Sequence, residues 1–316
     1  MPYRAHLRGA EDLITSSEQA RAALIAFLVE KAESAIPLIE QAKALRVAAL
    51  TCQSASDLQQ RRDIRPAILL AAGLTGVESQ RLHDGFKDAA VRALIDDYLL
   101  PRGEHFVDEL VYRFLLSKGM GLTKTLRKLV TLIANRNIAR GVAAALLLRD
   151  IPVLLKRTNT AAWQNWDAAS EDPPLGVRGV AWAGKDGPRT LLFNSRVAAV
   201  GRSVNVVLKR FSSVDEEAGA SANHPSLYLA LGEVKCEFDP AVTAENWDNI
   251  RTSLERIKTK FDEHGLAPYT FYIGGMITEQ AAAELWQMLQ DGELSNAANS
   301  NDEIQLGSIC QWLIQI

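Results

Sequence analysis

Glu233 and Lys235 stand two residues apart at the end of the apolar run Leu227 to Gly232. On an extended strand that spacing puts a carboxylate and an ammonium on one face. Such a pair suits metal-assisted hydrolysis of a phosphate ester, in which a divalent cation polarises the phosphate and lowers the pKa of the attacking water. Mg²⁺ takes hard oxygens, usually one or two carboxylates with substrate oxygens and waters. Glu233 offers a carboxylate and the Val234 carbonyl a neutral ligand. Lys235 offers a cation that orients the nucleophile or stabilises charge on the phosphorane. Composition alone yields roughly one such triplet in a chain of this size. Here it is the sole acidic-x-Lys triplet, and it closes a strand-like run instead of lying on a helix. An ion pair at a strand end is the plain alternative.

A second ligand must come from a neighbouring strand, and the best-placed residue is Asn205, within Arg202-Ser-Val-Asn-Val-Val-Leu208. Short extended segments are predicted over 177–183, 190–194, 203–211 and 227–234, with a turn at 185–188. A helix is predicted over 245–261, a strand over 268–275 and a helix over 278–289; the apolar stretch 308–316 is ambiguous. The polar stretches 158–174 and 212–225 read as loops. The first half reads as helical. Ser16 and Ser17 can cap a helix, Pro37 opens or kinks the next segment, and a helix over 87–99 stops before Pro101. Segments 104–116 and 122–148 continue the pattern, the latter as one helix or as two that break near Gly141. The expectation is an α+β or α/β protein: a helical part over 1–150 and a mixed-sheet part over 151–316.

The composition, 47% hydrophobic and 23% charged over 316 residues, is that of a globular protein with a sizeable core. No apolar run reaches the ~18 residues of a membrane span, and the N-terminus does not read as a signal peptide. Cys52, Cys236 and Cys310 are odd in number and widely spaced, which points to a reducing cytoplasm. The five His residues (6, 83, 105, 224 and 264) lack zinc-site spacing. A net charge of −3 advertises no polyanion partner, yet residues 113–160 carry ten basic residues against Asp150 alone. That excess can follow a phosphate backbone or form a solvated helix face.

Leu229-Ala-Leu-Gly-Glu-Val-Lys235, with Asp239-Pro240-Ala241 and Glu245-Asn246-Trp247, resembles the active-site segment of the AvaI/BsoBI family of type II restriction endonucleases. Further matches run in order along the chain. They include His6-Leu7, Glu11-Asp12-Leu13, Gly103-Glu104, Asp108-Glu109-Leu110, Arg113, Arg189-Thr190-Leu191, Asn194, Leu294-Ser295-Asn296 and Cys310-Gln-Trp312. The resemblance implies a PD-(D/E)xK nuclease that acts as a homodimer on double-stranded DNA. Its helical part over 1–150 would embrace the duplex, and its catalytic core would lie over 151–316. It also implies Mg²⁺-dependent cleavage within the degenerate palindrome CYCGRG, and a cognate DNA methyltransferase encoded nearby.

By the same resemblance Asn205 takes the place of the family's first catalytic Asp, and Asn246 that of a His. Glu233 and Lys235 keep their types, and Asn205, Glu233 and Val234 form the metal set. Cys236 and Glu237 replace two glycines. An amide at 205 removes a charge from the metal site. Three accounts of it stand open: a change introduced to trap uncut DNA, natural loss of cleavage, or takeover by Glu237 or Asp239. Loss of cleavage would leave a sequence-specific DNA-binding protein. Arg202 and Asp239 are candidates for base or phosphate contact, with helix capping as the other reading of Asp239. Lys124, Arg127 and Lys128 are candidates along the backbone. Trp247 reads as a core anchor and Cys236 as a small packed residue.

Overall fold

The computed structural model describes residues 1–158, 160, 162–167, 172–210, 224–236 and 240–316, with the side chains of 120–127 and 240–246 left aside. Helix α1 spans Ser17–Ala49 and starts from a reciprocal cap, in which Ser16 and Gln19 each bond the other's backbone N–H. Pro37 lies inside it rather than opening a new helix. Short helices α2 (Arg65–Ala71), α3 (Gly76–Arg81) and α4 (Asp84–Leu94) follow. The chain then tightens through irregular turns over Ile95–His105, where Pro101 and left-handed Gly103 (φ 55) prevent regular helix. Helix α5 runs unbroken over Phe106–Leu147.

A break near Gly141 is absent, for a packing reason. A Cβ at Gly141 would lie 2.7 Å from Cys310 Sγ, so the glycine lets a second helix approach. Its cost to helix propensity is only about 1 kcal/mol.

The second half forms one sheet of eight strands: β1 (Leu154–Arg157), β2 (Gln164–Asn165), β3 (Val177–Gly184), β4 (Gly187–Val197), β5 (Arg202–Lys209), β6 (Tyr228–Lys235), β7 (Tyr269–Gly274) and β8 (Asn296–Asn299). The spatial order is β2-β1-β3-β4-β5-β6-β7-β8. Pairing is antiparallel up to β5–β6 and parallel from β6 to β8. Parallel neighbours need crossovers, and helices α6 (Pro240–Asp262) and α7 (Glu279–Gln290) supply them. Helix α8 (Glu303–Gln315) closes the chain, capped by Asp302. The turn predicted at 185–188 is present, with Gly187 left-handed (φ 112) where Gly184 pairs with Gly187. Strands β1 and β8 and the helical state of 303–315 were not expected, and β2 falls inside a predicted loop. The architecture is thus a helical N-terminal region followed by a mixed sheet with flanking helices, an α+β fold.

Contacts divide the chain into two units, Met1–Ala26 with Leu129–Ile316, and Phe27–Lys128. The division falls within α1 and α5. The unit of 27–128 has its own core, including Leu45, Leu58, Ile68, Leu99 and Leu110. In the other unit the sheet is buried on both faces. One face packs Val206, Leu208, Ala230 and Phe271 against Ile138 and Leu146 of α5 and Ile309 of α8. The opposite face packs Val207 and Leu231 under Ile257 and Phe261 of α6, and Tyr272 under Trp247 and Leu254. No helix among the described residues is long and apolar enough to cross a membrane.

Candidate active site

Glu233 and Lys235 lie at the carboxyl end of β6. Alternation along β6 turns Ala230 and Val234 to the α5/α8 face, and Leu231 and Glu233 to the face under α6. Glu233 is only 2% exposed. Its Oε1 accepts a 2.5 Å hydrogen bond from the Ser253 hydroxyl of α6, and the Arg202 guanidinium stands 3.9 Å from the same oxygen. Among the described residues no hydrogen bond reaches Oε2. Lys235 is half-buried at the end of the strand, and its backbone carbonyl accepts from the Gly275 N–H at 2.7 Å. The close approach of the chain after β6 and β7 there is permitted by Gly275, where a Cβ would fall 2.8 Å from Cys236 Cα.

Asn205 stands on β5 beside this pair. Its Oδ1 accepts from the Val234 N–H at 3.1 Å, and its Nδ2 donates to Asn194 Oδ1 at 3.1 Å. Asn194 interrupts β4 between the pairs Phe193–Val206 and Ser195–Val204, in a left-handed conformation (φ 50) that Asn tolerates better than most residues. The fold therefore gathers Arg202, Asn205, Glu233 and Val234 at one end of β5 and β6, with Lys235 following on. No cluster of three His, Cys, Asp or Glu side chains is present among the described residues. Glu237, Asp239 and the side chain of Asn246 lie outside them, as do the side chains of Lys124 and Arg127.

The neighbouring residues are structural. Trp247 is buried, meets Tyr272 edge-on and donates to Glu284 Oε2 at 2.6 Å, which holds that carboxyl below its usual range. The Cys236 thiol donates to Ser300 Oγ at 3.4 Å, and burial pushes it up to about 11, so it stays a neutral packed group. The basic run divides. Arg113 pairs with Glu109 at 2.8 Å and stacks on Tyr98, Arg140 forks onto Asp172 at 2.8 and 2.9 Å, and Arg149 binds Gln311 at 2.8 Å. These cations are committed within the chain. Lys128 is exposed.

Ser253 and the geometry of Asn194 escaped the sequence reading. Ser253 left one faint trace: a small polar residue inside the buried stripe Trp247, Ile250, Leu254, Ile257 and Phe261.

The chain matches the family described as restriction endonuclease BsobI over residues 3–316. It belongs to that family. It is 37% identical to the type II restriction enzyme AvaI of Nostoc sp. (strain PCC 7120 / SAG 25.82 / UTEX 2576) over 316 residues, all of both chains. It is also 37% identical to the type II restriction enzyme BsoBI of Geobacillus stearothermophilus over 320 residues, all of this chain and 98% of the relative. As a BsobI-family member the chain carries its acidic-x-Lys triplet at the end of a central strand, with an amide as its β5 neighbour.

Proposed function

We propose that this chain is a type II site-specific deoxyribonuclease that hydrolyses both strands of duplex DNA with Mg²⁺ at a CYCGRG-like palindrome. The observation that carries the reading is Glu233, a carboxylate buried to 2% exposure with one oxygen hydrogen-bonded by Ser253 and no such partner on the other among the described residues. Burying a carboxylate costs several kcal/mol (about that per ion) unless partners compensate. A side chain kept that way in a restriction-endonuclease family fits a ligand role.

The residues present suit a hard cation. Glu233, the amide oxygen of Asn205 and the Val234 carbonyl are the oxygens that would hold it. When bound, the metal supplies charge against the phosphate and a more acidic water. Lys235 orients the attacking water or balances charge on the phosphorane. Arg202 keeps a positive charge near the strand end, suited to guanine or phosphate. Asn246, Asp239, Lys124, Arg127 and Lys128 complete the set on sequence grounds, within a helical part over 1–150 and a catalytic part over 151–316. A two-fold DNA site calls for a two-fold protein, so the working form is a homodimer. A cognate methyltransferase would protect the host DNA in the cytoplasm.

A second reading draws on Asn205, an amide with both polar atoms already engaged by Val234 and Asn194. It is a sequence-specific DNA-binding protein that leaves its site intact. Incubating plasmid with Mg²⁺ or Mn²⁺ tests both. Discrete fragments are expected of the nuclease, and intact plasmid with salt-dependent specific binding is expected of the second reading. Cleavage by Glu233→Ala equal to the parent's would rule out the assigned site.

A further inference from the structure

We propose that Ser253 is a positioning residue for the metal site: its hydroxyl fixes Glu233 Oε1, so that Oε2 is the oxygen presented to a divalent cation. The inference rests on the reading of Glu233 as a metal ligand.

Ser253 lies in the middle of α6 and is 3% exposed. A buried helical serine ordinarily turns its hydroxyl back onto the carbonyl four residues earlier. Here it reaches across to the sheet and donates to Glu233 Oε1 at 2.5 Å. That length falls at the short end of the O–H···O⁻ range, where hydrogen bonds are roughly twice as strong as neutral ones. The Arg202 guanidinium, 3.9 Å from the same oxygen, adds charge without direct contact. Both groups therefore act on Oε1. The carboxylate is held by one edge, and the other would be left for the cation.

A free Glu has several rotatable bonds to immobilise when it binds a cation. Ile250, Leu254 and Ile257 anchor α6 in the core on either side of Ser253 in sequence, so the helix that carries the hydroxyl is packed on the sheet. Groups that orient a ligand in this way typically change metal affinity by about 10–100-fold when removed.

Mn²⁺ titrated calorimetrically into the full-length protein separates the possibilities. Ser253→Ala is expected to weaken Mn²⁺ binding by about 10–100-fold, with the melting temperature followed in parallel. Ser253→Cys, which keeps the volume but is a weak donor, should also lose affinity, and Ser253→Thr, which keeps the hydroxyl, should retain it. Unchanged affinity in Ser253→Ala, while Glu233→Gln loses binding, would overturn the role of Ser253 and leave the metal site standing. Equal losses in the Ala and Thr variants would overturn it too. Parent-like Mn²⁺ binding by Glu233→Gln, or none by the parent, would instead remove the metal-site reading itself, and this inference with it.

Discussion

The two faces of the sheet are buried to a similar degree but built from different chemistry. Against α5 and α8 the face is a continuous apolar layer through Phe193, Val206, Ala230, Val234 and Phe271. Under α6 the same strands bury Glu233 and Ser253 beside Leu231, Ile257 and Tyr272. A carboxylate can sit there because α6 brings a hydroxyl to it, and because the strand end keeps Arg202 close. The buried cation on the other face, Arg189, donates instead to the Ile316 carbonyl at 2.9 Å, at the end of α8. The contrast sets an apolar layer on one face against a buried carboxylate–hydroxyl pair on the other, although the two share single strands whose side chains alternate between them.

The sharpest way to break this contrast is to damage the apolar face and look for an effect on the polar one. Phe271→Ala empties a fully buried ring site and is expected to cost about 3–5 kcal/mol, read from urea unfolding. Mn²⁺ affinity of the remaining folded protein should be unchanged. A large loss of affinity would mean that the faces are not separable.

Asn205→Asp changes the group held between β4 and β6. Adding a carboxylate beside Glu233 should raise Mg²⁺-dependent cleavage by about 100-fold, equivalent to about 2.7 kcal/mol of transition-state stabilisation. Asn194 can support it, because its amide can turn to donate where it now accepts. Single-turnover cleavage measures this, and no cleavage by either protein, with tight specific binding, would favour the binding-protein reading.

Gly232→Ala tests the apolar face next to the Glu233–Lys235 pair. A Cβ there would run into the Phe271 ring, its registered neighbour on β7. Overpacking should cost about 1–3 kcal/mol, seen as a lower melting temperature.

The smallest effect concerns His6, in the N-terminal segment that packs with α6 and α7. It bonds Ser308 Oγ and the Ala297 carbonyl, each at 2.8 Å, and burial lowers its pKa from the usual 6.5. The unfolded chain then binds this proton more readily than the folded one. Stability is therefore full above pH 6.5 and declines as pH falls through that value toward the lower folded pKa. His6→Gln should flatten the denaturation midpoint between pH 7.5 and pH 5.5 (about one unit either side of an ordinary His); an unchanged slope would place the proton uptake elsewhere.

Legibility in the sequence followed the strength of local patterns. Strands β3 to β7 and helices α6 and α7 were visible because apolar and polar residues change over where the elements do. Strand β8, Asn296-Ala-Ala-Asn299, has no such contrast, since both faces are buried, and Asn299 is held by distant partners, its backbone N–H by Gln305 and its side chain by Thr15. Continuity of α5 through Gly141 was hidden because a glycine's meaning depends on what approaches it. At the site, Glu233 and Lys235 could be picked out by spacing, Asn205 by its place on the preceding strand, and Arg202 through the family resemblance. Ser253 and the left-handed turn of Asn194 could not, since neither residue type announces its partner.

The sequence by itself determined the run of elements from β3 to α7, the acidic-x-Lys pair at a strand end and the amide at 205, because these depend on residue type and short spacing. Tertiary structure decided that Ser253 faces Glu233, that Asn205 is held between Asn194 and Val234, and that Arg113, Arg140 and Arg149 are committed within the chain. Those outcomes depend on long-range packing of helices on the sheet. A hydrogen bond joins whichever groups the packed backbone brings within about 3 Å, and no local pattern specifies that distance.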